Sequence, residues 1–153
     1  MSEGRQNGFS LVELIVTVAI VSILAGLALP LTRNTIKRER EVALRQALRE
    51  MRTAIDKFKE SSDRGLIQVK LGTEGYPESL DILVDGVPQI GAVDKKLKFL
   101  RRIPADPMTN STEWGKRAYQ DDPESTSFGG QNIFDVYTKS QGIALDGTNY
   151  KDW

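Results

Sequence analysis

The sequence predicts an α+β fold, in which one long N-terminal helix packs against a small antiparallel β-sheet. Residues 9–31 form an apolar run, and residues 32–61 continue with apolar side chains at helical spacing. Two later segments, 113–120 and 133–139, have the composition of strands and are bounded by turn residues. A long helix followed by strands is typical of the α+β class.

The composition excludes most catalytic chemistry. Lys plus Arg and Asp plus Glu both number 21, and the chain has no Cys and no His. The zero formal charge gives no reason to expect nucleic acid, and disulfides, thiolate nucleophiles, imidazole bases and the usual zinc ligands are missing. We predict no enzyme, no nucleic-acid partner and no required cofactor. A membrane-tethered enzyme using two carboxylates is the alternative, but no sequence feature pairs them.

The apolar run 9–31 predicts a transmembrane helix. At ~1.5 Å per residue it would be about 34 Å long, enough for a hydrocarbon core of roughly 30 Å. A cleaved secretory signal would have a shorter apolar region, and a plain single-pass anchor explains everything except Glu13. A charge there costs on the order of 2.5 to 3.5 kcal/mol without a partner, so Glu13 is a functional candidate.

The residues around Glu13 form the most specific motif of the chain. Residues 8–14 read Gly-Phe-Ser-Leu-Val-Glu-Leu and resemble the processing and assembly motif of type IV pilins and of type II secretion pseudopilins. The resemblance implies a type IV pilin-like fold, a prepilin leader peptide over 1–8, cleavage between Gly8 and Phe9 by prepilin peptidase, and N-methylation of Phe9. It also implies a single-pass protein of the bacterial inner membrane with its head in the periplasm.

Glu13 is then the predicted assembly residue. In a helical homo-oligomeric filament its carboxylate can meet the amine of a neighbouring Phe9, so that two groups that are costly in lipid neutralise each other. The alternative is a pair within one subunit, since the two residues are four apart on one helix.

Gly26 and Pro30 mark a predicted soft spot in the same helix. Pro30 has no amide hydrogen, which leaves the carbonyl of Gly26 without its helical partner. The resemblance implies that this stretch unwinds on assembly, and a simple bend without a role is the alternative.

The charges that follow the apolar run conflict with this orientation. Arg33, Lys37, Arg38 and Arg40 outnumber the positive groups before the run, so a simple positive-inside count places the C-terminal side in the cytoplasm. The resemblance implies a periplasmic head, and long domains translocate despite flanking charge.

The amphipathic segment 32–61 predicts a stalk that continues one helix from 9 to about 61. Its apolar residues are spaced 4, 3, 4 and 3 apart: Leu44, Leu48, Met51, Ile55 and Phe58. Fewer than three heptads make a coiled-coil seam less suitable than packing against the chain's own head. The charges predict a solvated face, with an i,i+4 pair between Glu41 and Arg45.

Residues 62–153 form the predicted globular head. After a polar connection, 77–84 predicts a short helix with Pro77 in its first turn and Leu80 and Leu83 facing inward. A flexible hairpin loop around 129–130 joins the two strands. The segments 76–80 and 99–107 resemble the variable region of the major, G-type pseudopilin, although Met108 stands where that family usually has an aromatic residue.

The tail 140–153 resembles the loop that binds calcium in G-type pseudopilins. The resemblance implies Ca²⁺ ligands at Asp146 and Asp152, with Asn149 and Asp135 in reserve, although the loop also carries Lys151. The alternative is an ordinary turn at Asp146, with Tyr150 and Trp153 packing the loop onto the sheet.

Taken together, these features predict a structural subunit of a type II secretion pseudopilus that polymerises through its N-terminal helix to drive protein export. Its partners would be other pseudopilins and an inner-membrane assembly platform. The alternatives are a minor pseudopilin at the filament tip or a surface type IV pilin, many of which close a C-terminal loop with a disulfide that this chain cannot form.

Overall fold

The computed structural model describes residues 8–92, 94–122, 125 and 127–153, with the backbone alone for 27–33. Residues 1–7 of the predicted leader lie outside this description. Contacts divide the chain into two units, Met1–Arg38 and Glu39–Trp153. The first helix, α1, comprises Leu11–Asp63 and contributes residues to both.

The prediction of one long helix is confirmed, but both of its ends lie two residues later than predicted. At the start, the carbonyl of Ser10 accepts the amide of Leu14 at 3.1 Å, so Phe9 and Ser10 precede the first turn. At the end, Gly65 adopts φ 67° and donates its amide to Ser62, while Leu66 donates to Ser61. This bonding is that of a Schellman motif, which satisfies the last carbonyls of a helix.

In the first unit, the helix of 11–26 exposes its side chains on all faces. Thr17 and Ser22 donate their hydroxyl hydrogens to the carbonyls of Leu14 and Val18, at 2.9 and 2.7 Å, and so satisfy themselves locally. In the described part of the chain, no helix has both the length and the apolar composition needed to cross a membrane. The span predicted over 9–31 includes 27–31, whose side chains lie outside the description, and it stays a prediction.

In the second unit, one face of α1 forms the centre of the hydrophobic core. The predicted stripe is fully or almost fully buried, together with two alanines on the same face: Leu44, Ala47, Leu48, Met51, Ala54, Ile55 and Phe58. Leu83, Ile133 and Val136 from the rest of the unit are fully buried in the same cluster. The prediction that the stripe packs against the chain's own head is therefore confirmed.

The short second helix, α2, comprises Leu80–Asp85 and begins three residues later than predicted. Ser79 is its N-cap, and its hydroxyl accepts the amide of Ile82 at 3.4 Å. Pro77 lies outside the helix, two residues before this N-cap, and its carbonyl accepts the amide of Ile133 at 2.7 Å. Leu80 and Leu83 are buried as predicted.

Two small antiparallel sheets replace the single predicted one. β1 (Val87–Pro88) pairs with β2 (Lys96–Leu97), and β3 (Gly115–Arg117) pairs with β4 (Asp135–Tyr137). The second pair falls inside the two predicted strand segments, whereas the first pair was not predicted. A Cβ at position 115 would lie 2.4 Å from the Tyr137 ring opposite, so glycine lets that ring lie across the strand. The α+β class is confirmed.

Candidate processing, assembly and metal sites

Gly8 lies in an open, exposed segment just before α1. A Cβ built at this position meets no atom within 4 Å, and its φ is outside the left-handed region. Neither packing nor backbone conformation in the described chain therefore requires glycine here. A requirement for glycine at this position would instead come from a partner that binds the segment.

Phe9 and Glu13 are both exposed, and Glu13 lies in the first turn of α1. A carboxylate there interacts favourably with the positive end of the helix dipole. Within the described residues Glu13 has no hydrogen-bond or ion-pair partner. In the uncut chain the nitrogen of Phe9 is an amide rather than an amine, so the predicted charge pair stays a prediction.

The segment around Glu13 is an apolar surface that the rest of the described chain leaves uncovered. Phe9 is 79% exposed, and large apolar side chains along the helix are between 49% and 73% exposed. They are Leu11, Val12, Leu14, Ile15, Val16, Val18, Ile20, Val21, Ile23 and Leu24. Such a surface requires a lipid or protein partner.

The predicted soft spot lies within the helical backbone of α1, which includes both Gly26 and Pro30. A Cβ at Gly26 would meet nothing within 4 Å, so the described chain leaves open space there. The side chain of Pro30 lies outside the described residues. Unwinding at this point stays a prediction.

Asp146 is engaged within the C-terminal loop and with α1. Its Oδ1 accepts the backbone amide of Thr148 at 3.0 Å and the hydroxyl of Thr148 at 2.6 Å. Its Oδ2 lies 3.3 Å from Nη2 of Arg45. These bonds from Thr148, followed by the charge of Arg45, lower the pKa of the Asp146 carboxyl.

The other residues implied as calcium ligands are engaged elsewhere. Asp152 accepts the side-chain amide of Asn149 at 2.9 Å. Asp135 accepts Nε of Arg52 at 2.7 Å and lies 3.5 Å from Nη1 of Arg117. The described geometry thus does not direct these groups at one common point.

This donor set does not fit a calcium ion as it is arranged. Calcium takes six to eight oxygen ligands. Among the described residues, no three Asp, Glu, His or Cys side chains group closely enough to hold a metal. The carbonyls of Gly142, Ala144, Thr148 and Asn149 already accept backbone amides of the loop. Calcium binding at Asp146 and Asp152 stays a prediction.

The predicted i,i+4 pair between Glu41 and Arg45 is wrong. Oε1 of Glu41 instead accepts the amide of Leu145 at 2.8 Å and the hydroxyl of Tyr150 at 2.9 Å. Arg45 pairs with Asp146. Both side chains bind the C-terminal loop, because it supplies a buried hydroxyl donor and a carboxylate on this side of α1.

Two further residues with structural roles were not predicted. Arg52 is one of the charges of segment 32–61 that were predicted to form a solvated face. It instead binds Asp135 and donates Nη2 to the carbonyl of Trp153 at 2.7 Å. Asp106 is fully buried and accepts the hydroxyl of Thr138 and the amide of Met108. The bond to the amide two residues ahead is an Asx turn, which the Pro-Ala-Asp-Pro sequence could have indicated.

Comparison with known proteins identifies the family. Residues 4–29 match the family model described as the prokaryotic N-terminal methylation motif. Over 112 residues, the chain is 30% identical to the type II secretion system core protein G of Escherichia coli (strain K12), and the match covers 69% of each chain. The chain belongs to the type II secretion core protein G family. The predicted membership of the type IV pilin-like, G-type pseudopilin family is confirmed.

Other relatives agree with this assignment. The core protein G of Pectobacterium carotovorum subsp. carotovorum is 29% identical over 110 residues, which cover 67% of this chain and 62% of that protein. The type IV major fimbrial protein FimA of Dichelobacter nodosus is 43% identical over 51 residues, which cover only 33% of each chain. No solved structure gave a significant match. The pseudopilin likeness therefore extends over more of the chain than the fimbrial likeness.

Proposed function

We propose that the chain is a structural subunit of a type II secretion pseudopilus, and that it polymerises through its N-terminal helix to drive protein export. Membership of the core protein G family supports this proposal, and the match to that family covers 69% of the chain. A structural role also agrees with a composition that has no Cys and no His. The subunit acts by assembling, not by catalysis.

In this function, prepilin peptidase cuts between Gly8 and Phe9 and methylates the new amine of Phe9. The match of residues 4–29 to the methylation motif supports the cleavage point. So does the open geometry at Gly8, which offers the peptidase an exposed, non-helical segment just before α1. An extended, accessible backbone is what a protease needs to reach a peptide bond.

The observation that carries the proposal is that Glu13 lies exposed within an apolar helical surface and has no partner among the residues that the structure describes. Once cleavage has created a charged amine on Phe9, the amine of one subunit can pair with Glu13 of the next. The apolar side chains around both groups exclude water, which strengthens the attraction between the two charges. Polymerisation thereby covers the apolar surface and at the same time neutralises the carboxylate of Glu13.

We place the protein in the bacterial inner membrane as a single-pass subunit with a periplasmic head. The apolar, exposed side chains of 9–26 support a lipid environment before assembly. Other pseudopilins and an inner-membrane assembly platform are the proposed partners in the periplasmic filament.

The test replaces Glu13 in cells whose secretion system lacks its own copy of this subunit. Glu13→Gln keeps the length of the side chain and removes its charge. Glu39→Gln is the matched control, because Glu39 is an exposed residue of the same helix that has no partner within the described residues. We expect Glu13→Gln to be processed and inserted but absent from cross-linked or sheared filaments, whereas Glu39→Gln assembles normally. Wild-type assembly by Glu13→Gln would contradict the proposal.

A surface type IV pilus is the second candidate, favoured by the 43% identity to the fimbrial protein over 51 residues. The two functions differ in where the polymer lies at native expression. Long extracellular fibres in cells lacking all other pilins, without loss of protein secretion when this chain is deleted, would favour the pilus. Loss of secretion without surface fibres would favour the pseudopilus.

A further inference from the structure

The C-terminal loop 140–153 is attached to α1 through four side chains that contact one another in a ring. Arg45 lies 3.3 Å from Oδ2 of Asp146, and Oδ1 of Asp146 accepts the hydroxyl of Thr148 at 2.6 Å. The same hydroxyl oxygen accepts the indole N–H of Trp153 at 2.7 Å. A cation–π contact completes this ring, since the guanidinium of Arg45 lies 3.9 Å from the centre of the Trp153 ring.

Two more side chains of α1 extend this attachment. Glu41 accepts the amide of Leu145 and the hydroxyl of Tyr150 through one carboxylate oxygen. Arg52 donates to the carbonyls of Val136 and Trp153 and to the carboxylate of Asp135. Residues four and seven positions apart lie near one face of a helix, so α1 presents an anion and two cations to one loop. We call Glu41, Arg45 and Arg52 the loop clamp.

Arg45 therefore already places a positive charge beside the carboxylate of Asp146. A divalent cation that approached this carboxylate would have to displace either the two hydrogen bonds from Thr148 or the guanidinium of Arg45, which lies 3.3 Å away. The positive charge of the guanidinium would also repel the cation. The guanidinium also stacks on an indole, an arrangement that an ion cannot reproduce. The loop's own backbone bonds, Ala144 to Thr148 and Tyr150 to Gly142, already hold its shape.

We propose that the loop clamp takes the place of a bound calcium ion, so that the C-terminal loop of this chain folds and stays ordered without a divalent cation. The guanidinium of Arg45 acts as the fixed cation of the site. In this respect the C-terminal loop differs from the calcium-binding loop that the family resemblance implies.

The experiment measures thermal unfolding of the full chain in detergent, by near-ultraviolet circular dichroism, in excess EGTA and in millimolar CaCl₂. We expect the same Tm in both conditions. Arg45→Met should lower Tm by several degrees in both. Arg49→Met is the matched control, since Arg49 is exposed on the same helix and has no ion pair within the described residues, and we expect it to leave Tm unchanged.

Asp146→Asn gives a second, independent variant. If the clamp holds the loop, Arg45→Met and Asp146→Asn should destabilise by similar amounts, and the double variant by little more than either. The calcium comparison on the wild-type chain remains decisive even if a variant fails to fold. A wild-type Tm that rises with calcium and falls with EGTA, with the rise abolished by Asp146→Asn, would overturn the proposal. So would an Arg45→Met variant as stable as Arg49→Met.

Discussion

The hydroxyl of Tyr150 donates a hydrogen bond to Oε1 of Glu41 at 2.9 Å and thereby joins residues 109 positions apart in sequence. Tyr150 is only 4% exposed, and the same glutamate oxygen also accepts the amide of Leu145. The C-terminal loop is therefore docked on α1 by a hydrogen bond that is partly buried.

We expect Tyr150→Phe to destabilise the head by about 0.5–1.5 kcal/mol, because it removes this bond while keeping the ring. The measurement is denaturant-induced unfolding of the full chain in detergent. Tyr119→Phe is the control, since Tyr119 is 58% exposed and its hydroxyl has no partner in the described part of the chain. Equal stability of the two variants would show that the Tyr150 bond contributes nothing.

The same tyrosine predicts a loss of stability at high pH. Burial, followed by the hydrogen bond to Glu41, raises the pKa of Tyr150 from 10.0 to about 12. A raised pKa in the folded state stabilises the fold fully below the unfolded pKa, and this stabilisation is lost as pH rises through the folded pKa. The stability advantage of the wild type over Tyr150→Phe should thus be constant below pH 10 and fall progressively as the pH rises from 10 through about 12.

Unfolding curves of both chains across this pH range test the prediction. Every other ionisable side chain is common to both chains, so the difference between the curves isolates Tyr150. A difference that does not change over the whole range would contradict the assigned pKa shift.

The buried face of α1 predicts a large effect of truncation in the core. Ile55 is fully buried in the cluster that joins α1 to the head. We expect Ile55→Ala to cost about 2–5 kcal/mol, because it removes buried apolar atoms and leaves a cavity. Val42→Ala, at a position 58% exposed on the same helix, should change the free energy of unfolding little. Comparable losses in the two variants would mean that the face of α1 with Ile55 is not the one packed on the head.

Processing should depend on Gly8 without any effect on folding. A side chain at this position meets no atom of the described chain within 4 Å. We therefore expect Gly8→Leu to give a longer, unprocessed chain on a gel, with a head as stable as the wild type. Glu13→Gln is the control, because it should be cleaved normally. Normal maturation of Gly8→Leu would contradict the prediction that prepilin peptidase recognises Gly8.

The sequence predicted the elements whose signals are long and periodic. Five apolar residues at helical spacing, from Leu44 to Phe58, identified both α1 and its buried face. The strands β3 and β4 were located because turn residues bound them. Strands of only two residues, such as Val87–Pro88, are too short for any pattern to indicate. This one pairs where Val87 and Leu97, which both pack against the core, lie opposite each other.

The contacts of the C-terminal loop were the least predictable. Local spacing favours a pair between Glu41 and Arg45, worth only about 0.3–0.5 kcal/mol on a helix surface. The folded loop offers each of them a better partner, Tyr150 for one and Asp146 for the other. Partners more than 100 positions away leave no local signal, which is why the attachment of the loop emerges only from the structure.

Mass spectrometry of the N-terminal peptide from membrane-extracted protein tests most directly whether this chain matures as a pseudopilin. We predict a peptide that begins with Phe9 and carries one methyl group on its amine. A purified chain that still begins with Met1, or one cut at any other bond, would contradict this prediction.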